Sequence, residues 1–295
     1  LRKAGITLPI MVMDPEIAAI DLIFENNLEP NVYSFDSLQT LITSAQAKGL
    51  ENYPVHIKID SGMHRLGFYY EEIDHLSNIL NSQSAIKVHS IFSHLAGSDE
   101  PQFDDFTLSQ IHYFKKCTDA LEMKIGYDII KHICNSAGIE RFAPYQFDMC
   151  RLGIGLYGFS FVGTKLRNVC TLKTTILSVK TVAKGETIGY GRHTRLEQDS
   201  QIAVIPIGYA DGFDRRFSNY GGEVYIRGKR CAVVGNVCMD QAMIDVTGTD
   251  AKPGDQVIVF GDRLPLEELA ARLGTITYEI LTSVSRRVQR VYFYE

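Results

Sequence analysis

The sequence predicts an α/β chain: an incomplete (β/α)8 barrel of the TIM type over residues 1–160, followed by a mainly antiparallel β domain over residues 161–295. Three observations predict it. Strand and helix patterns alternate through the first half, which implies a parallel sheet with right-handed crossovers. The segment Val55-His56-Ile57-Lys58-Ile59-Asp60 is apolar at its odd-numbered positions and ionisable at its even-numbered ones. A parallel strand of an open doubly wound sheet is apolar on both faces, whereas a barrel strand ending at an active site has one polar face. Beyond about residue 165 the pattern changes to short β-rich runs separated by Gly and charged turn residues, as in a small antiparallel domain.

Each element follows from local chemistry. The expected strands of the first half are residues 8–13, 31–34, 55–60, 88–94, 129–134 and 149–152. Helical patterns lie between them at 15–27, 35–48, 70–80 and 102–123, the last broken near its start. Asp14-Pro15 supplies an N-cap followed by Pro at the first helical position. Six strands fall short of the eight a closed barrel needs. Arg2 and Lys3 precede Gly5, the order of a helix's last turn and C-cap, and no initiator Met is present. The expectation is therefore a fragment that lacks the first two barrel strands. In the second half, strands are expected at 172–182, 202–207, 223–227, 230–235, 243–246 and 256–260. Helices are expected at 265–273 and 278–288, and a closing strand at 290–294.

The chain has 295 residues, 45% of them hydrophobic and 22% charged, with a net charge of −5. That balance argues against a general nucleic-acid binder, and no apolar run reaches the ~18 residues of a membrane span. The six cysteines form no CxxC pair and no Cys/His finger, so neither disulfides nor a metal site are expected. Reduced thiols and the absence of a signal-peptide pattern point to the cytoplasm.

Several residues are placed to carry chemistry. Lys58 lies on the polar face of its strand. Buried there, its charge must be paired or removed, as in an imine-forming nucleophile or a modified lysine; otherwise it snorkels to the rim. Asp60-Ser61-Gly62-Met63-His64-Arg65-Leu66-Gly67 follows, a βα loop where Arg65 can meet an anion. His94 and His132 close successive strands. Asn135-Ser136-Ala137-Gly138 offers a hydroxyl and backbone N–H groups to a phosphate, and Arg151-Leu152-Gly153-Ile154-Gly155 adds a second glycine-bearing turn. In this order the segments point to a phosphorylated cofactor. In the β half, Gly189-Tyr190-Gly191, Gly208-Tyr209-Ala210-Asp211-Gly212 and Val237-Cys238-Met239-Asp240-Gln241 stand out, though tyrosine beside glycine is by itself an ordinary turn.

Together, the stretch from Lys58 to Gly67, His132 to Ala137, Arg151 to Gly158, Gly208 to Gly212 and Gly235 to Gln241 resemble the alanine racemases, pyridoxal-phosphate enzymes with a barrel followed by a β domain. The resemblance implies interconversion of L- and D-alanine by two bases on opposite faces of the substrate. It implies that Tyr190 is one catalytic base and acts in the partner subunit's site, so that a homodimer with shared sites is expected. Arg151 would meet the pyridine nitrogen of the cofactor. Arginine can only donate, so that nitrogen stays unprotonated and the ring is a weaker electron sink. His132 would support Arg151, with His94 in the same network. Asn135, Ser136, Gly153 and Ile154 would lie at the phosphate. Arg65 and the Met239 N–H would bind the substrate carboxylate, Arg65 also counting among the catalytic groups, with Tyr209 near the entrance. Lys58 matches a lysine that is carbamylated in many relatives.

Two departures stand out. The family's cofactor lysine lies in a segment resembling Lys-Ala-Asn-Ala-Tyr-Gly, which this chain does not contain, so the 295 residues alone are expected to be inactive. The family's tail reads Ser-Tyr-Arg-Val-Pro-Arg, where this chain reads Ser285-Arg286-Arg287-Val288-Gln289-Arg290, which assigns Arg286 to the phosphate. Two other functions compete: decarboxylation of a basic amino acid by relatives with the same two-domain layout, and a non-enzymatic cofactor-binding module. Relatives of the first kind place an acidic residue, not an arginine, at the pyridine nitrogen. Serine differs from alanine by one hydroxyl, and a small pocket rejects it only modestly.

Overall fold

The computed structural model describes residues 1–293, which form two compact units, Leu1–Leu166 and Arg167–Glu295. In the first unit, strands β1 (Met11–Val12), β2 (Glu29–Val32), β3 (Tyr53–Lys58), β4 (Ile86–Phe92) and β5 (Ile130–His132) alternate with helices α1 (Ile20–Glu25), α2 (Phe35–Ala47), α3 (Ile73–Asn81) and α4 (Asp104–Ile125), and α5 (Ser136–Arg141) follows β5. All neighbouring strands are parallel and their spatial order is their chain order. A doubly wound sheet reverses that order at a switch point, whereas a singly wound, barrel-like sheet does not.

The alternation in β3 sets the two faces. Val55, Ile57 and Ile59 lie in the helix-side core with Leu38, Leu41, Leu76 and Phe114. His56, Lys58 and Asp60 are also buried, on the opposite, polar face. A β-bulge then re-aims β4: Val55 pairs with Val88, but His56 pairs with Ser90. The extra residue, His89, is exposed. Without it, Val88, Ser90 and Phe92 would share one face; with it, Val88 joins the core while Ser90 and Phe92 register with His56 and Lys58.

Local chemistry accounts for the helix ends. Ser34 caps α2 through the Ser37 N–H, with the reciprocal bond back to the Ser34 N–H. The break expected near the start of the fourth helix is a 3-10 turn, Pro101–Phe103, that leads into α4, and Gly126 ends α4 with φ 80°. Arg2–Ala4 forms one 3-10 turn closed by Gly5 at φ 82°.

In the second unit, β6 (Leu172–Thr175), β7 (Ser178–Val182), β10 (Ser200–Ile205), β11 (Glu223–Ile226), β12 (Lys229–Val234), β13 (Ala242–Asp245) and β14 (Gln256–Phe260) form one antiparallel sheet in the order β6-β14-β11-β12-β13-β10-β7. A two-stranded ribbon, β8 (Thr187–Ile188) with β9 (Thr194–Arg195), stands apart from it. Helices α6 (Leu266–Leu273) and α7 (Thr277–Ser283) close the unit.

Four expectations need correction. Residues 149–152 are not a strand: only the Met149 and Arg151 N–H groups reach the Lys131 and Cys134 carbonyls, and Leu152 and Gly153 are loop. The run 172–182 is two strands, because Ile176 and Leu177 turn away to bond Asp255 and Val204. The helix expected over 278–288 stops at Ser283, and the Ser285 N–H bonds the Asp211 carbonyl instead. Residues 290–293 form no strand, and Tyr294 lies outside the described residues.

Candidate active site

The polar face of the first unit converges on Arg151. Its NH1 donates to His132 Nδ1 at 2.7 Å and to the His132 carbonyl at 3.1 Å. Its NH2 donates to the carbonyls of Ser93 at 2.5 Å and Ile133 at 3.1 Å, and faces His94 Nδ1 at 3.4 Å. Its Nε–H donates to no described residue, so one hydrogen-bond donor of a largely buried guanidinium remains open.

Around Lys58, positive charge from Arg65 and Arg151 outweighs the negative charge of Asp14 and Asp60. Burial lowers the Arg151 pKa to about 10, which leaves it protonated at neutral pH. Burial, then Arg151, hold His132 down to about 3. Burial, then Arg151, Arg65 and Lys58, hold His94 down to about 4. Both histidines are therefore neutral imidazoles. Lys58 Nζ sits 4.9 Å from the centre of the Phe92 ring, and burial with the Arg65 and Arg151 charges lowers its pKa. It makes no hydrogen bond with a described residue. Phe92 also stacks on His132, with ring centres 5.1 Å apart and planes 4° from parallel. Arg65 is exposed on its loop, where Asp60 braces the turn by accepting from the Gly62 and His64 N–H groups. Only Gly67 fits behind that turn, because a Cβ there would lie 2.6 Å from the Asp60 nitrogen.

Ser136 builds the second element. Its Oγ accepts from the Gly153 N–H at 3.0 Å and the Gly155 N–H at 3.3 Å, which leaves its own O–H to donate. The Ile154 N–H also donates to no described residue. Asn135 caps α5 through the Gly138 N–H and receives the Ser98 hydroxyl, so it organises this turn from behind. One hydroxyl and one N–H with no acceptor among the described residues, on glycine-bearing turns, suit a phosphate.

In the second unit, Tyr190, Tyr209, Arg215, Asn236, Met239 and Asp240 line a cavity of about 530 Å³. Tyr190 is 75% exposed, on a turn whose flanking glycines have φ 70° and 75°. The turn is rigidly held: a Cβ on Gly189 would meet Met243 at 2.7 Å, and Asn236 donates to the Tyr190 carbonyl. Gly208 lies so close to the next loop that a Cβ would be 2.3 Å from the Cys238 and Met239 carbonyl oxygens. Arg287 bridges the two loops, pairing with Asp211 at 2.7 Å and with Asp240. Met239 is exposed and lines the cavity, and its N–H donates to no described residue.

The expected residues thus fall into two groups. The first unit brings together Lys58, Arg65, His94, His132 and Arg151, with the turns of Asn135, Ser136, Gly153 and Ile154. The second brings together Tyr190, Tyr209 and Met239. Arg286 is exposed on the tail, where its neighbour Arg287 forms the ion pairs. Sequence reasoning missed Glu29, His56, Ser90 and Phe92 around His132. His56 was visible in the alternating strand, but Ser90 was hidden by the bulge. It also missed the Arg287 bridge, for which the sequence carries no signal. Among the described residues, no cluster of three His, Cys, Asp or Glu side chains suits a metal, and no helix is long and apolar enough to cross a membrane.

Comparison with known proteins agrees with this layout. Residues 1–161 match the family model "Alanine racemase, N-terminal domain", and residues 169–292 match "Alanine racemase, C-terminal domain". The chain is 38% identical to the alanine racemase of Clostridium tetani, over 99% of this chain and 78% of that protein. The solved alanine racemase of Clostridium difficile 630 superposes with a TM-score of 0.91 at 37% identity, over 99% of this chain and 78% of that one. That of Bartonella henselae, solved with covalently bound pyridoxal phosphate, gives a TM-score of 0.87 at 30% identity, over 99% of this chain and 81% of that one.

Proposed function

The chain belongs to the alanine racemase family, and from that premise we propose that it interconverts L- and D-alanine with pyridoxal phosphate as cofactor. The observation that carries this is Arg151: a charged, buried guanidinium with its Nε–H unspent, held by neutral histidines. The residues present fit the cofactor. Arg151 would meet its pyridine nitrogen. The Ser136 hydroxyl and the Ile154 and Gly153 turn, organised by Asn135, would hold its phosphate, with Arg286 as a further donor. The positive charge of Arg65 and Arg151 suits an anionic group. When bound, the cofactor supplies the electron withdrawal that makes the substrate's Cα–H acidic.

The chain's own residues supply the rest. Arg65 and the Met239 N–H bind the substrate carboxylate, and Tyr209 stands near the entrance. Tyr190 moves the proton on one face of Cα. Its high exposure on a rigid turn supports a role in the partner subunit's site, within a cytoplasmic homodimer. Both domains are matched, and nothing in the comparisons supports the expectation that these 295 residues are inactive. The test is to incubate the protein with pyridoxal phosphate and L-alanine in deuterated water and separate the enantiomers. D-alanine carrying deuterium at Cα is the expected product. Release of CO₂ from ornithine, arginine or lysine without alanine racemisation would establish the decarboxylase reading instead.

We propose further that Lys58 is carbamylated. A buried ammonium facing two arginines and making no hydrogen bond is costly, and burial with the arginine charges favours the neutral amine against the opposing pull of Asp14 and Asp60. That amine attacks CO₂: a C–N bond forms, a C=O π pair moves onto oxygen, and the nitrogen loses its proton to water. The resulting anion pairs with Arg65. In ¹³CO₂-enriched buffer the wild type is expected to show one carbamate carbon signal per chain that Lys58→Arg lacks. A signal that persists in that variant, or none in the wild type, would refute the modification.

A further inference from the structure

The hydrogen bonds around His132 continue away from Arg151, and their direction can be deduced. His132 Nε2 lies 2.9 Å from Ser90 Oγ, Ser90 Oγ lies 2.6 Å from His56 Nδ1, and His56 Nε2 lies 2.9 Å from Glu29 Oε2. Ser90 and His132 are fully buried and His56 is nearly so. The chain therefore crosses the polar face from the first residue of β2 to the end of β5.

Arginine only donates, so His132 Nδ1 must be bare and its proton must sit on Nε2. That proton goes to Ser90 Oγ. The Ser90 hydroxyl has only two neighbours, so its own hydrogen is satisfied solely by donating to His56 Nδ1. His56 then carries its proton on Nε2 and donates it to the Glu29 carboxylate. The opposite polarity would point an N–H of His132 at a guanidinium. A doubly protonated His56 would strand the Ser90 hydrogen in a buried site, which is costly. Burial, the largest influence on His56, lowers its pKa against the opposing pull of Glu29, in keeping with a neutral ring.

We infer that Glu29, His56 and Ser90 are positioning residues for Arg151: a one-way chain of hydrogen bonds, Arg151 to His132 to Ser90 to His56 to Glu29, locks His132 in its Nε2–H tautomer with the bare Nδ1 turned to the guanidinium. Arg151 NH1 is thereby fully engaged, and Nε is the donor left without an acceptor among the described residues. The functional consequence rests on the reading that Arg151 meets the pyridine nitrogen. With NH1 and NH2 tied down, the guanidinium cannot swing its charge away from the bound ring.

The experiment is ¹⁵N NMR of the histidine side chains in the protein at pH 7, without added cofactor. His56 and His132 are each expected as the Nε2–H tautomer by at least about ten to one. This part needs no variant. In Ser90→Ala, His132 loses its acceptor and His56 its donor, and both ratios are expected to fall at least about fivefold. A merely structural serine would alter stability but not tautomer. A wild-type His132 protonated on Nδ1, a doubly protonated His56, or unchanged ratios in Ser90→Ala would overturn the proposal. The cofactor reading is checked separately with ¹⁵N-labelled pyridoxal phosphate. A pyridine nitrogen whose shift ignores Arg151→Met would defeat that reading while leaving the tautomer result standing.

Discussion

Tyr190→Phe is expected to lower the kcat of alanine racemisation by about 10²–10⁴-fold, the usual contribution of a general acid–base group. Racemisation takes a proton from one face of Cα and delivers one to the other, and a single residue on one face cannot readily do both. Phe keeps the ring and its packing but removes the ionisable atom. Folding is expected to be unaffected, because the side chain is 75% exposed and the turn is held by Gly189, Gly191 and Asn236, not by the phenol. The defect is also expected to be unequal. If Tyr190 deprotonates L-alanine, as the family resemblance implies, exchange of the Cα hydrogen with deuterated solvent survives from D-alanine and fails from L-alanine. An ordinary turn tyrosine would make Phe nearly neutral. Wild-type kcat in both directions would therefore remove Tyr190 from the mechanism.

Arg151→Met is expected to destabilise the protein by about 3–5 kcal/mol, the range for breaking a buried charged network. The guanidinium donates to three backbone carbonyls, those of Ser93, His132 and Ile133, and to His132 Nδ1. Met fills much of the volume and carries no donor, so buried acceptors lose their partner at a cost of about 1–3 kcal/mol each before relaxation. One term opposes this. Loss of the Arg151 charge relieves His94, His132 and Lys58, all of which it disfavours in their charged forms. The offset is partial at neutral pH, because burial is the larger cause in each case and keeps both histidines uncharged. Urea unfolding at pH 7 measures the change as a lower midpoint at unchanged slope. An unchanged midpoint would mean that the carbonyls find other donors, and that Arg151 is held for function alone.

The architecture was legible in the sequence wherever one strand or turn carries its own signal. The alternation of Val55, Ile57 and Ile59 with His56, Lys58 and Asp60 separates a barrel-like sheet from a doubly wound one, because side chains on a strand must alternate faces. The glycine-flanked Tyr190 and the Asn135-Ser136 turn were legible because their signals, the flanking glycines and the Asn135 cap on Gly138, lie within three positions, although Asn236 and the Gly153 turn hold them from afar. The errors lie where a neighbour from afar decides. Residues 149–152 look like a strand, but the Arg151 side chain bonds across to Ser93 and His132, and the backbone follows it into a loop. Residues 284–288 look helical until Asp211 captures the Ser285 N–H and the Arg287 side chain.

Sequence pattern alone places Lys58, His56 and Asp60 on one face, sets the parallel order of the strands, and puts His94 and His132 at the C-terminal ends of successive strands. That Ser90 joins them follows only from the strand pairing, because the bulge at His89 shifts the register by one residue and turns every later side chain of β4 to the other face. The packed fold alone shows which atoms of Arg151 are spent and which is free. A guanidinium has fixed donors, and only the carbonyls and imidazole brought to it from β4 and β5 reveal the one left over.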